Sequence, residues 1–259
     1  MDSVKRFLCI LATVVAVPGL VAAQDKGSPL IVGVEELNYL PAYGRDENGE
    51  YAGFGRAVLD AFAADHGYEL IYRPLPITRL YSGLLSGRID LKYPDNPRWA
   101  EDRKQGWTIS YSAPAMTYID GNLVTEAQDG ADDVQLIGTV LGFTPWAWLD
   151  HLESGSLELI ESTDLVPVLR QLFAGRIDAA YANVAVAKHV AAENGLPADR
   201  LVFRDDLPYD RGTYHVSTTK HPKLIAQFDL WLENNAERVE AMREDYGVGV
   251  EELLEPNGE

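Results

Sequence analysis

Two ten-residue segments of the chain nearly repeat each other. LLSGRIDLKY occupies residues 84–93 and LFAGRIDAAY occupies residues 172–181. Each segment ends a leucine-rich helical pattern, passes through a glycine where a helix would stop, and enters an apolar strand. A chain that repeats this helix, turn and strand unit is predicted to build two similar lobes. We expect the shared glycine and aspartate to serve the turn and the isoleucine to serve the core, so the repeated residues are predicted to be structural.

Helix and strand patterns alternate around both copies of the repeat. Gly67 is predicted to end the first helix, and Thr78 and Asp164 are predicted to cap the helices that lead into the two copies. The segment TPWAWLDHL is predicted to form a helix that begins at Thr144 or Pro145. The resulting β-α-β-α-β order is typical of a sheet covered by helices. The predicted fold class is therefore α/β, with each lobe a mixed, mainly parallel sheet flanked by helices.

The chain between the two copies lacks the Ser/Gly/Pro composition of a flexible linker. Two lobes without a linker predict two short strand crossings, near residues 118–124 and 211–216. The predicted division of the chain is a signal peptide at 1–23, the first part of lobe 1 at 28–118, lobe 2 at 119–212, and a segment at 213–259 that completes lobe 1.

The amino-terminal segment has the pattern of a secretory signal peptide. Lys5 and Arg6 precede an apolar run at residues 7–17, and small residues lead to Ala23. The run is shorter than the roughly 20 residues of a membrane span, which disfavours an anchor. The single cysteine, Cys9, lies in this segment. We therefore expect a periplasmic protein without disulfides, thiolate metal sites or a cysteine nucleophile.

The composition excludes several partners. The chain has 40 Asp and Glu residues against 22 Lys and Arg residues, a formal net charge of −18. This charge repels nucleic acids and anionic membrane surfaces. The sequence has no G-x-S-x-G, H-E-x-x-H or P-loop motif, and its five histidines stand at spacings that do not suit a metal site. We expect a monomer that is not an enzyme and has no metal or cofactor.

Several segments, in this order and spacing, resemble the type II periplasmic solute-binding proteins, the family typified by polar amino acid receptors of ABC transporters. They are IVGVE, NGEYAGF, LPITRLYSGLLSGRIDL, ISYSAPAMTY, IGTVLGFTPW and LRQLFAGRIDAAYAN. The resemblance implies two lobes that close over a small polar or zwitterionic ligand. It also implies an inner-membrane ABC transporter permease as partner.

Three positions depart from the amino-acid-binding pattern of that family. Gly55 and Ala57 stand where the family's G-F-D-x-D element has acidic residues. The family's T-x-x-R arginine has no counterpart in register, although Arg98 or Arg103 lies nearby. Asn183 stands in place of the family's common second-lobe aspartate. The ligand class is therefore open between α-amino acids and other small polar molecules.

Ligands of open α/β sheets bind beyond the carboxyl ends of the strands, where loops and helix starts meet. This rule and the resemblance together select the candidate ligand-binding residues Glu36, Tyr39, Tyr43, Arg79, Tyr93, Asp95, Asn96, Arg98, Thr144, Trp146 and Asn183.

Two kinds of contact are expected from these candidates. Arg79, at the family's Pro-x-x-Arg position, and the helix terminus at Thr144 are expected to bind an anionic group. Either Trp146 or Trp148, together with Tyr39 or Tyr43, is expected to sandwich a flat or cationic group.

Two alternatives use the same fold. A periplasmic dehydratase acting on prephenate-like or arogenate-like acids would need a cleft carboxyl as general acid, for which Asp95 and Glu36 are candidates. A ligand-sensing partner of a signalling receptor would bind without delivering its ligand to a transporter.

Signal-peptide cleavage after Ala23 predicts a mature protein that begins at Gln24. Amino-terminal sequencing of the exported protein checks this expectation. Exported protein that retains Met1, or that carries a lipid on Cys9, would contradict it.

Overall fold

The structure is a computed structural model that describes residues 28–125 and 134–249. The predicted signal peptide lies outside the described residues. No helix within the two described ranges is both long and apolar enough to cross a membrane.

The first described range consists of short strands, three helices and one long strand at its end. In chain order these are β1 (Leu30–Glu35), β2 (Gly44–Arg45), β3 (Tyr51–Ala52), α1 (Phe54–His66), β4 (Leu70–Leu75), α2 (Ile77–Leu85), β5 (Leu91–Asp95), α3 (Glu101–Lys104), β6 (Ser110–Tyr111) and β7 (Met116–Thr125).

The second range repeats the alternation and ends in two helices. Its elements are β8 (Leu136–Val140), a 3-10 turn (Trp146–Trp148), α4 (Leu149–Ser154), β9 (Glu158–Ser162), α5 (Leu165–Phe173), β10 (Ala179–Asn183), α6 (Val184–Glu193), a second 3-10 turn (Ala198–Arg200), β11 (Leu201–Arg204), β12 (Asp210–Thr218), α7 (Pro222–Asn234) and α8 (Ala236–Tyr246).

Ten of the strands form one hydrogen-bonded sheet. Its order is β4-β1-β5-β12-β7-β10-β8-β9, with β6 paired to β12 and β11 paired to β7. β1 lies parallel to β4 and β5, and β8 lies parallel to β9 and β10. The two parallel groups meet at the long antiparallel strands β7 and β12. The predicted α/β fold, with two sheet regions flanked by helices, is confirmed.

β12 uses different residues toward its two neighbours. Asp210 to Tyr214 pair with β7, whereas His215 and Ser217 pair with β5. The repeated segments lead into β5 and β10, which therefore lie on opposite sides of the β7–β12 pair. The exact lobe boundaries stay a prediction.

Two of the predicted helix ends are confirmed. Gly67 adopts a left-handed conformation (φ 73°) after α1. The Asp164 carboxylate accepts the Val166 N–H at 2.9 Å and caps α5.

Two predicted helix starts are wrong. α2 is capped by Pro76 rather than Thr78, because the Pro76 carbonyl accepts the N–H groups of Arg79 and Leu80 and closes the first turn there. The Thr144 side chain caps no helix. The chain after it folds as a 3-10 turn, in which the Trp148 N–H donates to the Pro145 carbonyl at 2.9 Å.

The repeated aspartates perform the same task in both halves. Oδ2 of Asp90 accepts the Ile31 N–H at 2.8 Å at the start of β1. Oδ2 of Asp178 accepts the N–H groups of Gln135 at 3.0 Å and Leu136 at 2.8 Å at the start of β8. Each carboxylate therefore fastens the strand that begins its half of the fold.

The repeated isoleucines are also equivalent. A Cβ atom added at Gly33 would lie 2.4 Å from Cδ1 of Ile89, and one added at Gly138 would lie 2.6 Å from Cδ1 of Ile177. In each half the isoleucine therefore packs directly on a glycine of the first strand. The predicted structural role of the repeat agrees with these contacts.

The buried apolar side chains are continuous through the crossing strands. The largest cluster includes Phe54 and Phe62 of α1, Ile119 of β7, Tyr214 of β12 and Leu169 of α5. Because this core spans both groups of strands, it holds the site between them in place.

Replacing Asp178 by alanine should lower the free energy of unfolding by about 1.5–3 kcal/mol, because the variant loses a charged acceptor for two N–H groups. Urea denaturation measures this loss. The exposed Asp199→Ala provides a matched control that should change stability by less than about 0.5 kcal/mol. Equal losses in the two variants would contradict the structural role of the repeat.

Candidate ligand-binding site

A cavity of about 210 Å³ lies between the two groups of strands. Its lining combines residues that precede β6, residues of the crossing strands β7 and β12, and residues of the loop after β8. They are Glu35, Tyr43, Ile77, Tyr81, Trp99, Ala100, Tyr118, Asp120, Gly142, Phe143, Thr144, Trp146 and Tyr214.

Aromatic rings form the floor of the cavity. Tyr118 and Tyr214, on the paired strands β7 and β12, stack with ring centroids 4.4 Å apart. Tyr43 and Trp99 meet the Tyr214 ring edge-on, at 5.9 and 5.8 Å. The Tyr214 ring is buried, so it holds three lining side chains in one rigid group.

Tyr39 connects the two halves beside the cavity. Its ring lies 5.3 Å from Tyr43 on one side and 5.3 Å from Phe143 on the other. Its hydroxyl oxygen accepts the Asn183 N–H at 3.2 Å. Tyr39 therefore links the segment after β1 to both the β8 loop and the end of β10.

Glu35 is the first of two acidic residues in the lining. The hydroxyl of Tyr43 donates to Oε2 of Glu35 at 2.8 Å. Burial raises the pKa of Glu35, although the charge of Lys92 and the hydrogen bond from Tyr43 oppose this rise.

Lys92 lies behind Glu35 with no exposed side-chain surface. Its Nζ is 3.2 Å from Oδ1 of Asp95, which is equally buried. Oδ2 of Asp95 accepts the Ser217 hydroxyl at 2.6 Å. One buried cation thus lies near two carboxylates, those of Asp95 and Glu35.

Asp120 is the second acidic residue in the lining. It lies on β7, opposite Asn183 of β10 and Asp210 of β12. Its Oδ1 is inaccessible to solvent and has no hydrogen-bond partner among the described residues. Burial, reinforced by the negative charge of Asp210, raises the pKa of Asp120 to about 8. The nearby Arg98 pairs with Asp210, 3.3 Å away.

The structure places the eleven candidates in three different environments. Tyr43, Thr144 and Trp146 line the cavity. Five others are buried around it without lining it: Tyr39, Tyr93, Asp95, Asn96 and Asn183. The remaining three are exposed: Glu36, Arg79 and Arg98.

The direction in which successive side chains point explains why two of these candidates, Glu36 and Arg79, are exposed. Glu35 ends β1 and points inward, so the next residue, Glu36, points outward, where it pairs with Arg45 at 3.5 Å. In α2 the cavity-facing residues are Ile77 and Tyr81, which share a helix face four positions apart. Arg79 lies between them in sequence and therefore on the opposite face.

Sequence reasoning missed both acidic lining residues. Asp120 stands inside MTYIDGNLVT, a run that is otherwise mostly apolar or neutral. An acid within a predicted buried strand is a signal that could have found it, because a buried charge needs a partner or a function.

The fold of this chain matches solved structures, although its sequence matches no family model. No family model matches the chain, and the curated proteins give no significant sequence match. Solved structures do match. An ancestral arginine-binding protein bound to arginine shares 20% identity over 85% of this chain and 99% of its own, with a TM-score of 0.66. A histidine kinase sensor domain similar to periplasmic binding proteins shares 21% identity over 86% and 97%, with a TM-score of 0.67.

A third match is a His/Glu/Gln/Arg/opine family-binding protein from Silicibacter pomeroyi in complex with lysine, at 19% identity, 84% and 96% coverage, and a TM-score of 0.64. The chain has the type II periplasmic binding protein fold. In this periplasmic binding protein fold, the cavity at β7 and β12 lies between the two lobes.

Replacing Lys92 by methionine should lower the free energy of unfolding by about 3–5 kcal/mol, because the change leaves buried carboxylates without their cation. Chemical denaturation at neutral pH measures the loss. The double variant Lys92→Met/Asp95→Asn should recover part of it.

The exposed Lys223→Met serves as the control for loss of a lysine charge. If Lys92→Met is no less stable than Lys223→Met, the buried ion pair does not have the assigned role.

Proposed function

We propose that this protein is a solute-binding protein that captures a small organic cation between its lobes. The observation that carries the proposal is the lining of the cavity. It contains two acidic residues, Glu35 and Asp120, and seven aromatic side chains, and none of its described residues is a lysine or an arginine.

This lining favours a positive charge over a negative one. A cation over an aromatic face gains about 0.5–2 kcal/mol, and a carboxylate adds a direct charge interaction. An anion would lose its hydration next to two acids, and the cavity offers no guanidinium or ammonium in return. The expectation that Arg79 and the helix terminus at Thr144 bind an anionic group is therefore not part of the proposed function.

The size of the cavity limits the ligand. Pockets for drug-sized molecules enclose about 300–1,000 Å³. A cavity of about 210 Å³ suits a smaller molecule, such as an amine or an amino-acid-like compound with a short side chain.

The proposed mechanism is ligand-stabilised closure of the lobes. The ligand would contact Tyr43 in lobe 1, Phe143 and Trp146 in lobe 2, and Tyr118 on a crossing strand. Contacts to both lobes favour the closed conformation in proportion to the difference in affinity between the two conformations.

We further propose that the protein is exported to the periplasm and delivers its ligand to an ABC transporter permease. The signal-like amino terminus and the resemblance to transporter receptors support this role. The similarity to a histidine kinase sensor domain supports a second possibility, in which the closed form is recognised by a signalling receptor. Pull-down of membrane proteins with ligand-saturated protein would distinguish a permease from a receptor.

One observation also favours the enzymatic alternative. With a pKa of about 8, Asp120 carries a proton at neutral pH, as a general acid must. One structural match is an ancestral amino acid-binding protein described as a precursor of cyclohexadienyl dehydratase. Prephenate-like substrates are anions, however, and the acidic lining disfavours them. We therefore propose a binding role without turnover.

A thermal-shift screen over small organic cations, zwitterions and anions tests the proposed function. Cations should raise the melting temperature by mass action, with a stabilisation of about 2.7 kcal/mol at one hundred times Kd, and anions should not. Trp146→Ala should weaken cation binding by about 2- to 30-fold, the equivalent of one cation–π contact.

Trp107→Ala removes another exposed tryptophan, which lies outside this cavity, and should leave binding unchanged. Stabilisation by anions alone would contradict the proposed function, and turnover of a stabilising compound would favour the enzymatic alternative.

A further inference from the structure

Asp120 has a specific role in the cavity, and this role rests on the proposed function. Asp120 differs from Glu35 in what surrounds it. Glu35 accepts a hydrogen bond from Tyr43 and lies near Lys92. Oδ1 of Asp120 is buried and accepts no hydrogen bond from the described residues.

The groups that face Asp120 come from every neighbouring element and supply no positive charge in direct contact. They are Tyr118 on β7, Tyr181 and Asn183 on β10, Asp210 and Tyr214 on β12, and Tyr39 from the segment after β1.

Three polar groups near Asp120 have other partners, whereas the Tyr181 hydroxyl, like Oδ1 of Asp120, has no hydrogen-bond partner among the described residues. The Asn183 side-chain oxygen accepts the Val186 N–H at 3.0 Å and caps α6. The Tyr39 hydroxyl accepts the Asn183 N–H. Arg98 pairs with Asp210 rather than with Asp120. The Asp120 carboxyl lines the cavity, and its Oδ1 accepts no hydrogen bond from the described residues.

We infer that Asp120 is the specificity-determining residue of this site, selecting ligands whose cationic nitrogen carries an N–H and accepting that N–H in exchange for its own proton. The class of ligand is thus a protonated primary or secondary amine, rather than a quaternary ammonium compound.

The selectivity follows from the carboxyl group that Asp120 presents to the cavity. A primary ammonium in the cavity donates to the Asp120 carboxylate and forms a short, charge-assisted hydrogen bond. A trimethylammonium group has no N–H, so it would leave the buried carboxylate unpaired at a cost in free energy. Sites built to bond an N–H reject analogues that lack it far more strongly than apolar pockets reject a change of size. The aromatic lining alone would accept both kinds of cation.

The proton exchange follows from the surroundings of Asp120, because its burial and the negative charge of Asp210 both favour the protonated carboxyl. Its carboxyl is mostly protonated at pH 7, because its pKa is raised to about 8. Binding then converts a carboxylic acid and an ammonium ion into a carboxylate–ammonium pair, and one proton passes to solvent. Below pH 8 the apparent affinity should fall by up to tenfold for each pH unit. Above pH 8 it should level off until the amine itself loses its proton.

Three matched pairs of ligands test the selectivity: 2-aminoethanol with choline, glycine with glycine betaine, and n-butylamine with n-butyltrimethylammonium. Calorimetry should show at least tenfold tighter binding of the amine in any pair that binds. At pH 6, buffers of different ionisation enthalpy should report release of nearly one proton per amine bound, and at pH 9 much less.

Asp120→Asn keeps the shape of the side chain and removes its charge. This variant should lose the proton release and most of the preference for the amine, because its amide oxygen accepts only a weaker, uncharged hydrogen bond, while Asp199→Asn, on the surface, should keep both. An Asp120→Asn variant that retains the full preference or still releases a proton would overturn the inference.

A measurement without ligand keeps the test independent of the screen. Carboxyl ¹³C NMR of the ligand-free protein, assigned by comparison with Asp120→Asn, should show Asp120 titrating near pH 8. Asp210→Asn should lower that midpoint by removing a neighbouring negative charge. Titration of Asp120 near pH 4 would overturn the proton exchange.

The two proposals fail in different ways. If both members of a pair bind equally, the cation-binding function stands and the role of Asp120 is wrong. If only anions bind, both proposals are wrong.

Discussion

The antiparallel pairing of β7 with β12 is the interaction on which the rest of the structure depends. It joins the two groups of strands, and its register sets Asp120 opposite Asp210. Like charges directly opposite each other destabilise a sheet. A shift of one residue would relieve this contact but would turn every side chain of the strand to the other face, including the buried Tyr118. The backbone register therefore holds an acid in a position that is unfavourable without a ligand.

The repeated segments show why the fold was predictable from sequence. Asp90 and Asp178 bind N–H groups at the starts of β1 and β8, and the adjacent isoleucines pack on Gly33 and Gly138. These local contacts require the same residue types in both halves, so they produce a repeat that is visible in the sequence. They also lie just before β5 and β10, away from the carboxyl ends of the parallel strands where ligands bind. The repeat therefore predicts architecture and contains no information about the ligand.

The site was only partly predictable because it depends on which individual side chains point into the cavity. The loop rule selected Tyr43 and Trp146, which line the cavity. It selected Glu36 instead of Glu35, because a pattern read to within one residue cannot fix which of two adjacent side chains points inward. Asp120 lies within a strand, where a rule about loops does not look. Its environment comes from the pairing of β7 with β10 and β12, strands more than 50 positions away in sequence.

The net charge of −18 suggests that any single acid is merely a solvated surface group, and most are. The two acids of the cavity differ from that majority and also from each other. Tyr43 and Lys92 stabilise the charge of Glu35, so Glu35 can remain a fixed part of the wall. Oδ1 of Asp120 has no donor among the residues that the structure describes, and Asp120 is destabilised as an anion by its burial and by Asp210. A carboxyl in that position gains more from a ligand N–H than one that is already satisfied. The difference in partners, rather than the number of charges, therefore identifies which acid responds to the ligand.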